Sequence, residues 1–257
     1  MTTPASDRHE LLTADLVEPR LRGRFGRPYR WSEECASTQD VLRAAGLPEG
    51  AVAVTEHQTG GRGRSGRSWE DAPGRSLLLS ILLRPERPAA QLSLVVGLAV
   101  AEAIDATAGT QAMLKWPNDV LLGDRKVAGI LLETVGSAVI CGVGVNVNQS
   151  GSELPAATRL GAASLRLTTG RTHDRAMLLA GLLVALERRY DEWRDDDLWP
   201  LLPELERRDA LRGRQVNVSG VSGVAAGIAA DGRLQITRDD GTVERVASGE
   251  VQEPLSD

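Results

Sequence analysis

The chain has 257 residues, with 30 Lys plus Arg against 35 Asp plus Glu, a formal charge of −5 and a sequence pI near 5.4. That length excludes a disulfide-stapled mini-domain and suits one large domain, or a catalytic domain with a small appendage. The acidic balance argues against a nucleic-acid coat or a polybasic membrane binder, and the expected partners include neither DNA nor a membrane.

Cys35 and Cys141 are the two cysteines, and no CxxC pair exists. They read as reduced thiols of a cytoplasmic protein. His9, His57 and His173 are scattered, so no metal site is expected. The opening MTTPASDRHELL carries acids early and lacks an apolar h-region, unlike a signal peptide. Leu92 to Ala101 is the longest apolar stretch, and Glu102 ends it short of the roughly 20 residues a membrane helix needs.

In chain order, residues 1–28 are polar, Arg-rich and weakly periodic, and are expected to pack loosely. Ser37-Thr38 read as a helix cap before Val41, Leu42 and Ala45, with Gly46 and Pro48 as the stop. Ala51 to Thr59 begins β-rich and predicts a strand. Gly60 to Trp69 is a glycine loop, and Ser76 to Leu83 predicts a fully buried strand. Gln91 to Ala106 is apolar nearly all round and predicts a buried helix.

Ala112 to Trp116 reads as a strand stopped by Pro117. Val120 to Leu122 and Lys126 to Glu133 flank the turn Gly123-Asp124-Arg125 as a hairpin. Ala138 to Val147 is a strand whose glycines mark close approach. Leu179, Leu183, Leu186, Tyr190 and Trp193 define a helix over His173 to Trp193, followed by a short one over Leu198 to Arg208. From Gly213 onward, short strands are separated by Asp231-Gly232 and Asp240-Gly241, strong hairpin signals that predict a small barrel. Hairpin-linked strands mixed with helices make the fold class α+β, with a mixed sheet.

Of the 30 cationic residues, 28 are Arg and two are Lys, Lys115 and Lys126, both between residues 115 and 134. Codon bias accounts for the arginines. Two retained lysines point to places where a compact ammonium is needed and a planar guanidinium does not fit.

The loop GRGRSGRSW (Gly61 to Trp69) spells both G-x-G-x-x-G and a degenerate P-loop. Both motifs need a helix to start at the loop, and Pro73-Gly74 followed by a strand leaves no room for one. What remains is a glycine-rich loop carrying Arg62, Arg64 and Arg67, expected to be mobile and to act as a multidentate anion clamp. The plainer alternatives are a solvated basic loop or a single-stranded nucleic-acid contact. The second is weakened by the shortage of aromatic side chains for stacking. In the second block, Lys115-Trp116-Pro117-Asn118-Asp119 and Lys126-Val127-Ala128-Gly129, a Lys at a strand end, an Asn-Asp pair and a second Lys on the returning hairpin converge on one spot.

With Ser37-Thr38, EHQTGGRGRSGRSW, LKWPNDV, KVAGILLE and GVGVNV in this order, the chain from about Cys35 onward resembles the biotin protein ligase family, also called biotin–[acetyl-CoA-carboxylase] ligase. The resemblance implies a catalytic biotin- and ATP-binding domain (29–210) of the biotin/lipoate ligase type, and a small C-terminal SH3-like β-barrel (211–257). The chain departs from the bifunctional members in showing no N-terminal DNA-binding domain, so a monofunctional enzyme is expected, as a monomer or weak homodimer. ATP and biotin would be substrates and Mg2+ the accompanying ion. The product, biotinyl-5′-AMP, would be passed to a lysine of a biotin carboxyl carrier protein domain of a biotin-dependent carboxylase.

By the same resemblance, Ser37, Thr38, Gln58, Gly61, Arg62, Gly63, Arg64, Trp69, Lys126 and Gly129 border biotin. Arg64, Arg67, Trp69, Asn118, Lys126 and Asn146 border the nucleotide. Lys126 would bridge the biotin carboxylate and the α-phosphate. Arg62, Arg64, Lys115 and Asp119 would complete the catalytic group, with Asp119 orienting or deprotonating the acceptor amine. Gln39 stands where the family often has Asn and receives no role. The competing readings are a lipoate or octanoate ligase, which would leave Ser37, Thr38 and Gln58 idle, and a noncatalytic nucleotide or RNA binder, which would leave Lys126 and Asp119 idle.

Overall fold

The structure is a computed structural model and describes residues 10–44, 46–87, 89–155 and 161–252. Its centre is a seven-stranded sheet built from β1 (Tyr29–Cys35), β2 (Val52–Gln58), β3 (Ser76–Leu83), β4 (Met113–Lys115), β5 (Asp119–Leu122), β6 (Arg125–Val135) and β7 (Ala138–Asn146), in the order β1-β2-β3-β7-β6-β5-β4. β1 and β2 run parallel and every other neighbour pair is antiparallel. The parallel pair needs a crossover, supplied by helix α2 (Thr38–Arg43), with Ser37 as its N-cap.

Alternation along the strands separates two faces. Cys141, Val143 and Val145 of β7, and Ala128, Ile130 and Leu132 of β6, face the main core. There they meet α3 (Leu92–Ala108) and α5 (Arg175–Asp196). The opposite face carries Gly142, Gly144 and Asn146 of β7 and Gly129 and Leu131 of β6, and these line a cavity. One set of strands therefore serves as core on one side and as a nearly side-chain-free floor on the other.

α3 extends two residues beyond its predicted end. With its preceding turn it is long and apolar enough to cross a membrane, but 61% of that window is buried inside the fold. Gly97 lets it approach the sheet, since a Cβ there would stand 3.3 Å from Leu114 Cδ2. α5 is capped by Asp174, whose carboxylate accepts from the Ala176 and Met177 amides.

The expectation that residues 1–28 pack loosely is corrected for residues 10–28; residues 1–9 lie outside the described residues. Leu12, Val17, Leu21 and Phe25 are all buried, with a short helix, α1 (Ala14–Val17), among them. A buried ion pair anchors the segment: Arg175 Nη1 lies 2.6 Å from Glu56 Oε2, both side chains 4% exposed. Glu56 Oε1 accepts from the Leu12 amide at 2.6 Å, and Arg175 Nη2 donates to Glu10 O at 2.6 Å. Such a pair is tolerated in the interior because further hydrogen bonds satisfy both ions. The arginines between the apolar residues hide their periodicity in the sequence.

Beyond α4 (Leu165–Thr169) and α6 (Leu202–Arg208), the chain forms β8 (Gln215–Val218), β9 (Val221–Ile228), β10 (Leu234–Thr237), β11 (Val243–Val246) and β12 (Val251–Gln252). These make a five-stranded antiparallel sheet in the order β11-β10-β9-β8-β12, which fulfils the expected small β unit. Gly232 and Gly241 take φ of +81° and +80°, as the Asp-Gly turns require. Val216, Val218, Leu234 and Ile236 join the main core, and Trp116 Nε1 donates to Gly232 O at 3.0 Å. The C-terminal sheet is thereby held beside the end of β4, and its β11–β12 connection reaches the cavity.

Candidate active site

The cavity is about 970 Å³ and is bordered by α2, the glycine loop, the β4–β5 turn, β6, β7 and residues 248–251. Every site residue singled out in the sequence lines it except Gly61. Gly61 works in the neck of the loop, where a Cβ would stand 2.6 Å from Trp69 O. Residues 61–69 fold as a narrow hairpin: Trp69 N donates to Gly61 O at 2.9 Å and Gly63 N to Arg67 O at 2.7 Å. Ser65 and Gly66 turn its tip with φ of 57° and +74°.

Trp69 explains Gly129 of β6 and Gly144 of β7. Its indole lies on Gly144, where a Cβ would stand 2.5 Å from Trp69 Cε2, and against Gly129, where a Cβ would stand 3.1 Å from Cζ3. Trp69 Nε1 is sealed from solvent with no hydrogen-bond partner among the described residues.

Lys126 is fixed through its main chain, accepting from Ala163 N at 2.8 Å and donating to Gly161 O at 3.2 Å. Its Nζ lies 2.7 Å from Asp119 Oδ1 and 5.8 Å from the Trp69 ring centroid. The Lys126–Asp119 contact is an ion pair by distance without the alignment of a hydrogen bond. Asp119 pairs with Lys115 in the β4–β5 ladder and with Gly129 in the β5–β6 ladder, so both lysines meet at one carboxylate-bearing strand end. Lys115 is buried in the cavity wall.

A buried polar cluster occupies the α2 side. Gln58 Oε1 accepts from Thr38 N at 2.9 Å and Thr38 Oγ1 at 3.2 Å, and Thr38 Oγ1 lies 2.7 Å from Ser80 Oγ. Ser37 and Gln39 are buried beside it. Gln39, given no role by the sequence, packs on Gly142, where a Cβ would stand 3.1 Å from Gln39 Cδ.

The expectation of a three-arginine clamp is corrected, because the three guanidiniums diverge. Arg62 grips Asp40 with two bonds of 2.9 Å and Glu133 with one of 3.0 Å. Hydrogen bonding to Arg62 holds the Asp40 carboxyl below its usual range, and Asp40 in turn raises Arg62. Arg64 donates to Asn118 Oδ1 at 2.8 Å, and Arg67 to Glu250 Oε1 at 3.0 Å. Each of the three guanidiniums finds a different acceptor.

Asn146, expected at the nucleotide, lines the cavity, but its amide is engaged: Nδ2 donates to Ala163 O at 3.0 Å and Oδ1 accepts from Gln149 at 3.1 Å. It thereby braces the segment that holds Lys126. Sequence reasoning missed Gln39, Asp40, Glu133 and residues 248–251. Gln39 and Asp40 directly follow Ser37-Thr38, and Glu133 closes the KVAGILLE run; those positions were the available signals. Among the described residues, no group of three or more His, Cys, Asp and Glu is arranged to hold a metal ion.

A glycine-floored cleft, polar at one side and cationic at the other, is a site for an elongated acid beside a phosphate. Residues 31–149 match the Biotin/lipoate A/B protein ligase family and residues 213–252 the Biotin protein ligase C terminal domain. The biotin--[acetyl-CoA-carboxylase] ligase of Mycobacterium tuberculosis is 36% identical over 217 residues, covering 79% of each chain. The bifunctional ligase/repressor BirA of Bacillus subtilis is 34% identical over 244 residues, 89% of this chain and 74% of BirA. Biotin protein ligase from Aquifex aeolicus, solved in complex with biotin and ATP, superposes with a TM-score of 0.80 at 32% identity, covering 86% of this chain and 96% of that one. The chain belongs to the biotin protein ligase family.

Proposed function

We propose that the protein is an ATP-dependent ligase that activates biotin as biotinyl-5′-AMP and transfers the acyl group to a lysine of a biotin carboxyl carrier domain. The observation that carries this reading is the Lys126 ammonium held 2.7 Å from Asp119 over the Trp69 indole, in the same cavity as the Thr38–Gln58 cluster. Biotin has a ureido head that needs donors and acceptors, an apolar body and a carboxylate tail. The cluster suits the head, and the glycine floor with Trp69 suits the body.

In the first step a biotin carboxylate oxygen attacks the α-phosphorus of ATP and pyrophosphate leaves. Lys126 stabilises the charge that gathers between carboxylate and phosphate. Arg64 leaves Asn118 for the nucleotide phosphates, and Arg67 lies within reach of the same region. Magnesium would enter on the nucleotide as MgATP. In the second step the acceptor amine attacks the acyl carbon and AMP leaves with the P–O bond intact. Asp119, beside Lys126 at the cavity edge, orients the amine and receives its proton as the new N–C bond forms.

Lipoate and octanoate have no ureido group to offer the Thr38–Gln58 end of the cavity, whereas biotin does. The test is transfer to a purified carrier domain with MgATP and either acid. A mass increase of one biotinyl group, lost when the acceptor lysine is replaced by Ala, supports the reading. A lipoyl adduct instead, or no adduct, overturns it.

A further inference from the structure

The geometry points to Asp40 and Glu133 as positioning residues that clasp the arginine hairpin over the cavity through the side chain of Arg62. This inference rests on the ligase reading above and assigns Arg62 a task other than contact with substrate.

The argument starts from what one guanidinium connects. Arg62 Nη1 and Nη2 each donate to Asp40 at 2.9 Å, and Nε donates to Glu133 Oε1 at 3.0 Å. Asp40 stands on α2, two residues after Thr38. Glu133 stands near the end of β6, the strand of Lys126 and Gly129. Arg62 itself leads into the hairpin that bears Arg64 and Trp69. Three chain segments, each carrying different site residues, therefore meet at a single planar group.

Arg43 completes the arrangement. It donates to Asp40 at 3.2 Å and also binds Glu133, so two guanidiniums and two carboxylates form a closed ring of alternating charge. The donors of Arg62 facing these acids are taken, and hydrogen bonding to Asp40 favours its charged state further. A guanidinium neutralised by two carboxylates is a weak receptor for a phosphate. It is a strong fastener, because a bidentate fork fixes direction as well as distance.

Besides the packing of Trp69 on Gly144 and Gly129, the hairpin has few polar fasteners among the described residues. Arg64 and Arg67 each make one side-chain bond to another segment, to Asn118 and Glu250. Arg67 is exposed and Arg64 half-buried in the cavity wall, and each holds its partner by a single bond that a nucleotide can replace. The Arg62 clasp is the contact that can persist through the catalytic cycle and keep Trp69 and Arg64 in register with the biotin site.

The experiment is a double-mutant cycle on Arg62→Ala and Asp40→Asn, with Glu133→Gln as a second probe. It is read by the release rate of preformed biotinyl-AMP and by KM for biotin against kcat for pyrophosphate exchange. Wild-type enzyme must first show biotin-dependent exchange; if it does not, the ligase reading fails and not the clasp. Given that activity, each single variant should release the adenylate about tenfold faster, the order expected for losing charge-assisted bonds. KM for biotin should rise more than kcat falls. The double variant should be no worse than Arg62→Ala alone, since that variant already removes the contact to Asp40. Release from Asp40→Asn and Glu133→Gln as slow as from wild type overturns the clasp. So does a double variant whose loss multiplies the two single losses, because Arg62 would then act on substrate independently of Asp40.

Discussion

The Nζ of Lys126 lies 2.7 Å from Asp119 Oδ1, and the two residues stand on adjacent strands of one hairpin. An ammonium fits there as a point charge between a carboxylate, an indole face and the open cavity. Lys126→Arg keeps the charge, but its planar head needs a wider, directional seat. Misplacing one charge-stabilising contact costs about 10²–10³ in rate, so pyrophosphate exchange should fall by that order while the protein stays folded. Exchange at the wild-type rate in this variant would remove Lys126 from the chemistry.

Arg64 donates to Asn118 in the ligand-free cavity and is placed to exchange that partner for an anion. Arg64→Gly should therefore retain adenylation but hold biotinyl-AMP less well, roughly tenfold for a charge-assisted bond of about 1.5–3 kcal/mol. The escaped anhydride acylates free lysines. Serum albumin added to the reaction should be labelled far more by this variant than by wild type. The enzyme itself should take up little label on its side chains, because it has two lysines only. Equal albumin labelling by both proteins would contradict the retention role.

A Cβ on Gly144 would stand 2.5 Å from the Trp69 ring. Gly144→Ala must displace the indole or bend β7, at a cost of about 1–3 kcal/mol. The expected readouts are a lower thermal midpoint, a shift in tryptophan emission and a raised KM for biotin. Gly136→Ala is no control, since its φ of +59° strains any side chain; Gly151, with open space at Cβ, serves instead.

Strands and glycines were the readable part of this sequence. The buried run of β3 and the glycines of β7 announced themselves by composition, and Asp231-Gly232 and Asp240-Gly241 announced their hairpins. That Gly144 approaches something closely was legible; that the something is Trp69, 75 positions earlier, was not. β1, with the sequence YRWSEEC and mixed exposure along its length, shows no clean alternation because it is an edge strand. The Asp40–Arg62–Glu133 contacts escaped notice because an ion pair leaves no periodic trace, and its members are brought together only by the sheet order. The contribution of residues 248–251 to the cavity follows from docking of the C-terminal sheet, which no local signal encodes.

A separate acid-sensitive support lies at α6, where Glu204 binds Arg207 and Arg208. Hydrogen bonds from Arg207, followed by Arg208, hold the Glu204 carboxyl down to about 2, against 4.5 for the free group. A carboxyl lowered on folding adds stability that is present above its unfolded value and is lost as pH falls through the folded one. Glu204→Gln should therefore be less stable than wild type at neutral pH. The difference should shrink between pH 4.5 and 2 as the wild-type carboxyl takes up its proton. Urea midpoints across that range measure it, and a difference independent of pH would refute the linkage.

The most direct test of the whole account is ATP–pyrophosphate exchange by the purified protein with biotin, with lipoate and with no acid. Exchange that requires biotin, is absent without an acid and is negligible with lipoate is the predicted result. Exchange driven equally by lipoate, or none with biotin at saturating MgATP, would contradict it.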